Sequence, residues 1–205
     1  MKSKINIPGY NLGSYSIPDE CMKNVCVDIG ANIGCFTLQQ AGFFAVIHYY
    51  EPFEECYNII NEKVKELKNV TGWREAVYFE DDVIIPIVAH ENLDAGSNAI
   101  KTDAVNEAWS EEIGTAKTVS LPTILERAGG HIDYLKVDCE TSEYYFLVDQ
   151  DLAQIDYIGI ELHWQMGEEK YYRLLAHIAK THNVVGDCSW TWGINKEVLF
   201  KLKSL

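Results

Sequence analysis

The stretch that most constrains the fold is VCVDIGANIG, residues 25–34, where an apolar run ends in an acid and two glycines follow. A short apolar run is typical of a strand buried on both faces of a parallel sheet. Gly30 can adopt a positive φ, and Gly34 permits close packing of the following helix against the strand. Ligands of open α/β sheets bind at such turns. The stretch therefore predicts a ligand site after the first strand.

Apolar runs and amphipathic segments alternate along the rest of the chain. Strands are expected at 25–28, 45–50, 132–138 and 157–162, and helices at 52–67, 120–130, 140–148 and 168–180. This order predicts a doubly wound α/β sheet with right-handed crossovers. Near the end of the chain, segments 184–186 and 197–202 can pair as an antiparallel hairpin, which would make the sheet mixed.

Two segments interrupt the alternation. Residues 82–90 have β-type composition, but the internal Pro86 restricts them to an edge strand or an excursion from the main sheet. Residues 91–115 are rich in Asn, Asp, Gly and Ser and show no convincing period. They are predicted to form a loop over the site.

The residues around the turn indicate which ligand it holds. Glu51 ends the second strand, about 20 residues on, where an acid can bind a ribose. A dinucleotide fingerprint needs G-x-G-x-x-G to bring backbone amides to a pyrophosphate, but Asn32 stands at its crowded position. A ligand with a ribose, an amino-acid moiety and no pyrophosphate fits better, which favours S-adenosylmethionine, whose sulfonium also suits an acidic pocket.

Four ordered blocks carry a wider resemblance: VDIGANIGCFTL, YYEPFEECYNII, IDYLKVDCETSEYYFL and IGIELHW. Together they resemble the FkbM-type S-adenosylmethionine-dependent O-methyltransferases over nearly the whole chain. The resemblance implies a Rossmann-like doubly wound seven-stranded mixed sheet of the class I methyltransferase type, with its last strand antiparallel. It also implies methyl transfer to a hydroxyl of a small or medium-sized acceptor, such as a glycan or secondary metabolite.

Cofactor contacts follow from the same resemblance. The methionine end would lie against four residues of the first block, and the ribose hydroxyls would bind Glu51. The adenine would lie near Glu75 and Ala76, after the third strand. The four residues expected at the methionine end are Asp28, Gly30, Asn32 and Gly34.

The chain departs from the family pattern in its fourth-strand block. The family usually has K-x-D-x-E-G-x-E, but Thr141 replaces the glycine, and an expected acid near the preceding short helix is absent from SLPTIL. A β-branched residue narrows the space and can change the acceptor. The altered block motivates one rival function, a nonenzymatic S-adenosylmethionine-binding protein. A second rival, a nucleotide-dependent oxidoreductase, is disfavoured by the lack of G-x-G-x-x-G.

Asp138, Glu161 and His163 are the predicted catalytic residues. Asp138 closes the fourth strand and is the predicted base for the acceptor hydroxyl. Glu161 and His163 are two residues apart and share one side of a strand. A base without metal is favoured over Mg²⁺, because no dense ligand set is evident and histidine suits Mg²⁺ poorly. Lys136 is expected to pair with Glu140, Glu143 or Glu161.

Composition limits the partners and the compartment. The formal net charge of −14 argues against nucleic acid as a partner. Six cysteines without a CxxC pair indicate free thiols. The amino terminus lacks a signal-peptide core, and no apolar stretch is long enough for a bilayer. A cytoplasmic protein that does not act at membranes is predicted, with residues 1–205 in one domain and 1–23 as an extension.

Overall fold

The computed structural model describes residue 15 and residues 17–90, 98–105, 109–189 and 196–203. These residues form a seven-stranded sheet and a four-stranded sheet. The elements alternate as β1 Val25–Ile29, α1 Cys35–Gln40, β2 Val46–Tyr50, α2 Glu54–Val64 and β3 Val70–Trp73. β1, β2 and β3 pair in parallel, and the apolar runs at 25–28 and 45–50 predict the first two of these strands.

A four-stranded sheet follows β3. It consists of β4 Glu75–Val77, β5 Ile84–His90, β6 Ala99–Ile100 and β7 Trp109–Val119, in the order β4-β7-β5-β6. Residues 82–90 are thus an excursion from the main sheet, which was one of the two predicted possibilities. Residues 91–115 are predicted to form a loop, but β6 and the first part of β7 lie within that range. The prediction is therefore wrong for these strand residues. Residues 91–97 and 106–108 of that range lie outside the described residues.

The chain then returns to the large sheet. The elements are α3 Leu121–Arg127, β8 Ile132–Val137, α4 Glu143–Leu147, β9 Ile155–Leu162, a 3₁₀ helix Trp164–Met166, α5 Glu168–Thr181, β10 His182–Ser189 and β11 Lys196–Leu202. The strand order is β10-β11-β9-β8-β1-β2-β3. β11 is antiparallel to both β9 and β10. The mixed seven-stranded sheet and its antiparallel last strand are therefore confirmed.

Helices cover both faces of this sheet because its strand residues alternate between two apolar clusters. Val27 and Leu135 pack with residues of α3, α4 and α5, whereas Cys26 and Tyr134 pack with Phe36 of α1. None of the helices in the described part of the chain combines the length and the hydropathy that a bilayer span requires.

The order of the strands reverses between β1 and β8. The chain runs from β1 outward to β3 and later returns to the other side of β1. The carboxyl ends of β1, β2 and β8 meet at this switch point. This is where open α/β sheets bind ligands.

Candidate functional site

The turn after β1 is held in direct contact with the end of β8. Gly30 has a φ of +71°, and a Cβ added to it would lie 1.7 Å from the carbonyl oxygen of Asp138. Its backbone N–H donates to the carbonyl of Tyr50 at 3.0 Å. Gly34 also has a positive φ, but its close neighbour is Ile60 of α2, not the strand. The two glycines therefore join three strands and two helices around one turn.

A cleft opens at this turn and encloses about 590 Å³, part of it open to solvent. Residues from both sheets line it: Ile29, Gly30, Asn32, Tyr50, Glu51, Pro52, Glu75, Ala76, Val77, Asn98, Ile100, Asp138, Cys139, Glu140 and Ser142. Five of the seven predicted cofactor residues line the cleft; Asp28 and Gly34 do not.

Glu51 is held rigidly at the edge of this cleft. Its two carboxylate oxygens accept from the backbone N–H groups of Asn32 and Phe53, at 2.8 and 2.9 Å. Only 7% of the residue is exposed. Burial raises the pKa of Glu51 to about 7, although the two hydrogen bonds oppose the shift. Each oxygen keeps lone-pair capacity for a further donor, as a ribose diol would supply.

Asp28 lies behind the turn. It is fully buried, accepts from the Thr37 hydroxyl at 2.6 Å and pairs with the Lys136 ammonium at 3.2 Å. Lys136 also donates to the carbonyls of Ile29 and Gly30, at 3.2 and 2.7 Å. The expected pairing of Lys136 with Glu140, Glu143 or Glu161 is wrong, because these carbonyls and Asp28 bind the ammonium beneath the turn. Asp28 and Lys136 thus stabilise the backbone of the turn and do not line the cleft themselves.

Glu75 and Ala76 begin the small sheet at the other end of the cleft. Glu75 accepts two hydrogen bonds from Arg127, at 2.5 and 3.2 Å. The guanidinium lies 3.8 Å from the centre of the Trp73 ring. Burial opposes the charge on Arg127, but Glu75 and Tyr50 raise its pKa. This paired cation fixes Glu75 beside the place where the adenine is predicted.

The three predicted catalytic residues meet at the ends of β8 and β9. One possible ligand atom from each of Asp138, Glu161 and His163 lies within 4.8 Å of the others. Nε2 of His163 is 3.8 Å from Glu161 and 3.3 Å from Glu140. The premise that the chain has no dense ligand set is therefore wrong, because the fold brings together acids from separate segments.

Glu143 completes this group and was not predicted as a site residue. Its Oε1 accepts from the backbone N–H of His163 and faces Nδ1 of the ring, both at 2.9 Å. Both side chains are buried. Burial disfavours a charged imidazole, but Glu143 and Glu140 outweigh it and raise the pKa of His163 well above its usual value. Asp138 is the one of the three predicted catalytic residues that lines the cleft, which makes it the base candidate.

The altered fourth-strand block adopts the backbone that a glycine would favour. Glu140 and Thr141 have φ angles of 50° and 78°, in the left-handed region. That region is strained for a β-branched residue. The Thr141 hydroxyl is also buried, without a hydrogen-bond partner among the described residues. The replacement of glycine therefore has a conformational cost, independent of any effect on the acceptor.

Comparison with known proteins supports the assignment of the fold and family. A family model described as the methyltransferase FkbM domain matches residues 28–185. A search of curated proteins gave no match. Among solved structures, the chain resembles methyltransferase FkbM from Methylobacillus flagellatus KT with a TM-score of 0.55 and 12% identity. The match covers 87% of this chain and 43% of that one, which is therefore much longer.

Two further structures share the architecture. The ribosomal protein L11 methylase from Lactobacillus delbrueckii subsp. bulgaricus gives a TM-score of 0.52 at 8% identity, over 91% of this chain and 73% of that one. Fibrillarin from Aeropyrum pernix, with natively bound S-adenosyl-L-methionine, gives a TM-score of 0.51 at 10% identity. That match covers 87% of this chain and 66% of the fibrillarin chain. At such identities the likeness concerns the fold.

Proposed function

The chain belongs to the FkbM methyltransferase family, and we propose that it transfers the methyl group of S-adenosylmethionine to a hydroxyl of a small or medium-sized acceptor, such as a glycan or secondary metabolite. The observation that carries this proposal is the convergence of Gly30, Glu51 and Asp138 on one cleft. The turn, the ribose-binding acid and the base candidate come from three strands that meet at the switch point.

The cleft offers separate places for the parts of the cofactor. Asn32 and Gly30 would hold the methionine end, and Glu51 would accept from the ribose hydroxyls. Glu75 and Ala76 would border the adenine. Asp28 and Gly34 would act indirectly, since one supports the turn through Lys136 and the other seats α1 against α2. When bound, S-adenosylmethionine supplies an electrophilic methyl group on a cationic sulfur.

Asp138 is the proposed proton acceptor. An alcohol is a poor nucleophile until its proton is removed or its alkoxide is stabilised, and a positioned base contributes about 10²–10⁴-fold. Asp138 lines the cleft and is 26% exposed, so an acceptor can approach it. The Lys136 ammonium lies 3.6 Å from its carboxylate. Alignment of donor and acceptor would supply much of the remaining acceleration.

The partner and the compartment are part of the proposal. An excess of acids, 31 against 17 basic residues, disfavours a polyanionic acceptor such as nucleic acid. In the part of the chain that the structure describes, five cysteines are assigned as free thiols. Free thiols suit a reducing cytoplasm. We also propose that residues 1–205 form one domain, with 1–23 as an extension.

Transfer of a radiolabelled methyl group tests the proposal. The wild-type protein and Asp138→Asn would be incubated with methyl-labelled cofactor and pools of glycans or hydroxylated metabolites. A labelled product that resists alkaline hydrolysis is expected, because an ether is stable where a methyl ester is cleaved. Asp138→Asn should lower its rate by about 10²–10⁴-fold.

Binding measurements separate this function from the rivals. Cofactor binding without turnover in any pool would favour a nonenzymatic binding protein. Tight binding of a nicotinamide dinucleotide, with no binding of S-adenosylhomocysteine, would instead support an oxidoreductase. Equal rates for the wild type and Asp138→Asn would refute the base assignment alone.

A further inference from the structure

We propose that the carboxylates of Asp138 and Glu161 and the imidazole of His163 bind a divalent cation of the first transition series. One ligand atom from each lies within 4.8 Å of the other two. Ligands at about 2.0–2.2 Å from a tetrahedral ion lie roughly 3.3–3.6 Å apart, so the donors need to approach one another by no more than about 1.5 Å. Asp138 and Glu161 are 26% and 25% exposed, which leaves space for this rotation.

The orientation of His163 points to a ligand independently of the acids. The residue is 1% exposed, and Glu143 binds both its backbone N–H and Nδ1 at 2.9 Å. Nε2 is buried, and no hydrogen-bond partner for it occurs in the described ranges. Glu140 lies 3.3 Å away but outside hydrogen-bond geometry. A carboxylate that fixes one ring nitrogen while the other faces a cluster of donors is the usual second shell of a metal-binding histidine.

The balance of charge also favours a cation. Three carboxylates, of Glu140, Glu143 and Glu161, lie 2.9–3.8 Å from the nitrogens of His163. The nearby Lys136 lies 3.6 Å from Asp138, but its ammonium is also shared with Asp28 and two backbone carbonyls. Acids gathered in a partly buried space need compensation, and a bound ion can be the largest local charge in such a site.

The donor set indicates which ions fit. Mg²⁺ prefers oxygen ligands in an octahedral arrangement. Imidazole suits Zn²⁺ and neighbouring transition ions, and carboxylates suit Mn²⁺. Two carboxylates and one imidazole therefore favour Mn²⁺ or Zn²⁺ over Mg²⁺. Three protein ligands also leave a position open for an oxygen of the acceptor.

A second group of possible ligands lies at the amino ends of β8 and β9, the opposite edge of the large sheet, and provides a control. His131, Asp133 and Asp156 also lie within reach of one another. However, Asp133 accepts from the backbone N–H groups of Asn24 and Val25, at 2.9 and 2.6 Å, which gives it a structural role. His131 is half exposed and lacks a buried, directed nitrogen. Asp156→Asn removes one charge there without touching the proposed site.

The location of the ion links it to the cleft, because Asp138 belongs to both. Binding of the ion rests on the donor geometry alone, whereas its action on a hydroxyl rests on the proposed function. There it would polarise the acceptor oxygen. Asp138 would then bind the ion through one carboxylate oxygen and accept the hydroxyl proton on the other, while the ion would stabilise the alkoxide.

Calorimetric titration of the metal-depleted protein with Mn²⁺, Zn²⁺ and Mg²⁺ tests the site. It would be carried out at pH 8, where a proton competes less for Nε2, on the wild type, Asp138→Asn, Glu161→Gln and Asp156→Asn. One Mn²⁺ or Zn²⁺ per chain is expected in the wild type and in Asp156→Asn. Affinity should fall at least about tenfold in Asp138→Asn and Glu161→Gln.

Absence of binding by the wild type at about 1 mM Mn²⁺ and Zn²⁺, or equal affinities in all four proteins, would overturn the proposal. Loss of binding in Asp156→Asn alone would also overturn it. Thermal unfolding establishes whether each variant is folded. If Glu161→Gln does not fold, the comparison of Asp138→Asn with the wild type decides the test. Titration of the same samples with S-adenosylhomocysteine reports on the cofactor site, so failure of the ion and failure of the proposed function give different results.

Discussion

Among single residues, Glu51 has a carboxyl group whose ionisation connects stability with ligand binding. Its folded-state pKa is raised to about 7, chiefly by burial. The folded protein therefore binds more protons at this position than the unfolded chain between pH 4.5 and about 7. The contribution of Glu51 to stability falls as pH rises through that window. A ribose diol bound as proposed would act in the opposite direction, since its hydroxyls would donate to the ionised form.

We expect the affinity for S-adenosylhomocysteine to fall about tenfold between pH 8 and pH 6, because Glu51 must lose its proton to accept two hydrogen bonds. Calorimetry across this range measures the effect. In Glu51→Ala, affinity should be lower by about 1.5–3 kcal/mol at pH 8, with a flatter pH profile. The same pH profile in a folded Glu51→Ala protein would place the titrating group elsewhere.

Thr141 stores conformational strain at a single position. Its φ of 78° is costly for a β-branched residue, and its buried hydroxyl has no hydrogen-bond partner in the described part of the chain. We expect Thr141→Gly to stabilise the protein by about 1 kcal/mol, since relief of strain exceeds the entropy cost of glycine. Urea unfolding measures the difference. Asp149→Gly is the control, because Asp149 has a similar φ of 62° but tolerates it better and loses only an exposed ion pair with Arg173, so its effect should stay within about 0.5 kcal/mol.

At the scale of elements, the turn after β1 depends on contact between two backbones. The sequence predicts a positive φ at Gly30, and the structure adds a second constraint, because the nearest obstacle to a Cβ is the carbonyl of Asp138, 1.7 Å away. Backbone atoms at the end of a buried strand cannot move aside as a flexible side chain can. The glycine is therefore required to join β1 to β8 even before a cofactor binds.

We expect Gly30→Val to abolish binding of S-adenosylhomocysteine and to lower the melting temperature, because the strand ends must separate. Gly42→Ala is the matched control, since a Cβ there meets nothing within 4 Å in the described structure. Calorimetry and thermal unfolding of both variants provide the comparison. Normal binding by a folded Gly30→Val protein would show that this turn does not hold the ligand.

The elements also show how far sequence reasoning extends. β1, β2, β8 and β9 were predictable because each is a short apolar run next to a helical segment. The small sheet was not, since β7 alternates weakly and pairs with β4 and β5 across long stretches of chain. The placement of Glu143 against His163 also depends on the register of β8 with β9 and on the start of α4. The sequences around Glu143 and around His163 do not specify this register, so the contact between the two side chains could not be predicted.

At the scale of the whole molecule, the cleft joins the two sheets. Glu51 and Asp138 belong to the large sheet's edge of the cleft, whereas Asn98 and Ile100 come from the segment around β6 in the small sheet. A cofactor in the cleft would contact both. Its binding free energy would therefore stabilise the arrangement of the sheets as well as the turn after β1.

We expect S-adenosylhomocysteine at about 100 times its Kd to stabilise the protein by roughly 2.7 kcal/mol. For a chain of this size that corresponds to a rise in melting temperature of about 5–10 °C. Hydrogen exchange should show slower exchange in the turn after β1 and in residues 98–101, because a ligand that joins the two sheets restrains both. Exchange in α5, which does not line the cleft, should remain unchanged and serves as the internal control. Protection of the turn without protection of residues 98–101 would mean that the ligand contacts the large sheet alone, and the small sheet would then have no part in binding the cofactor.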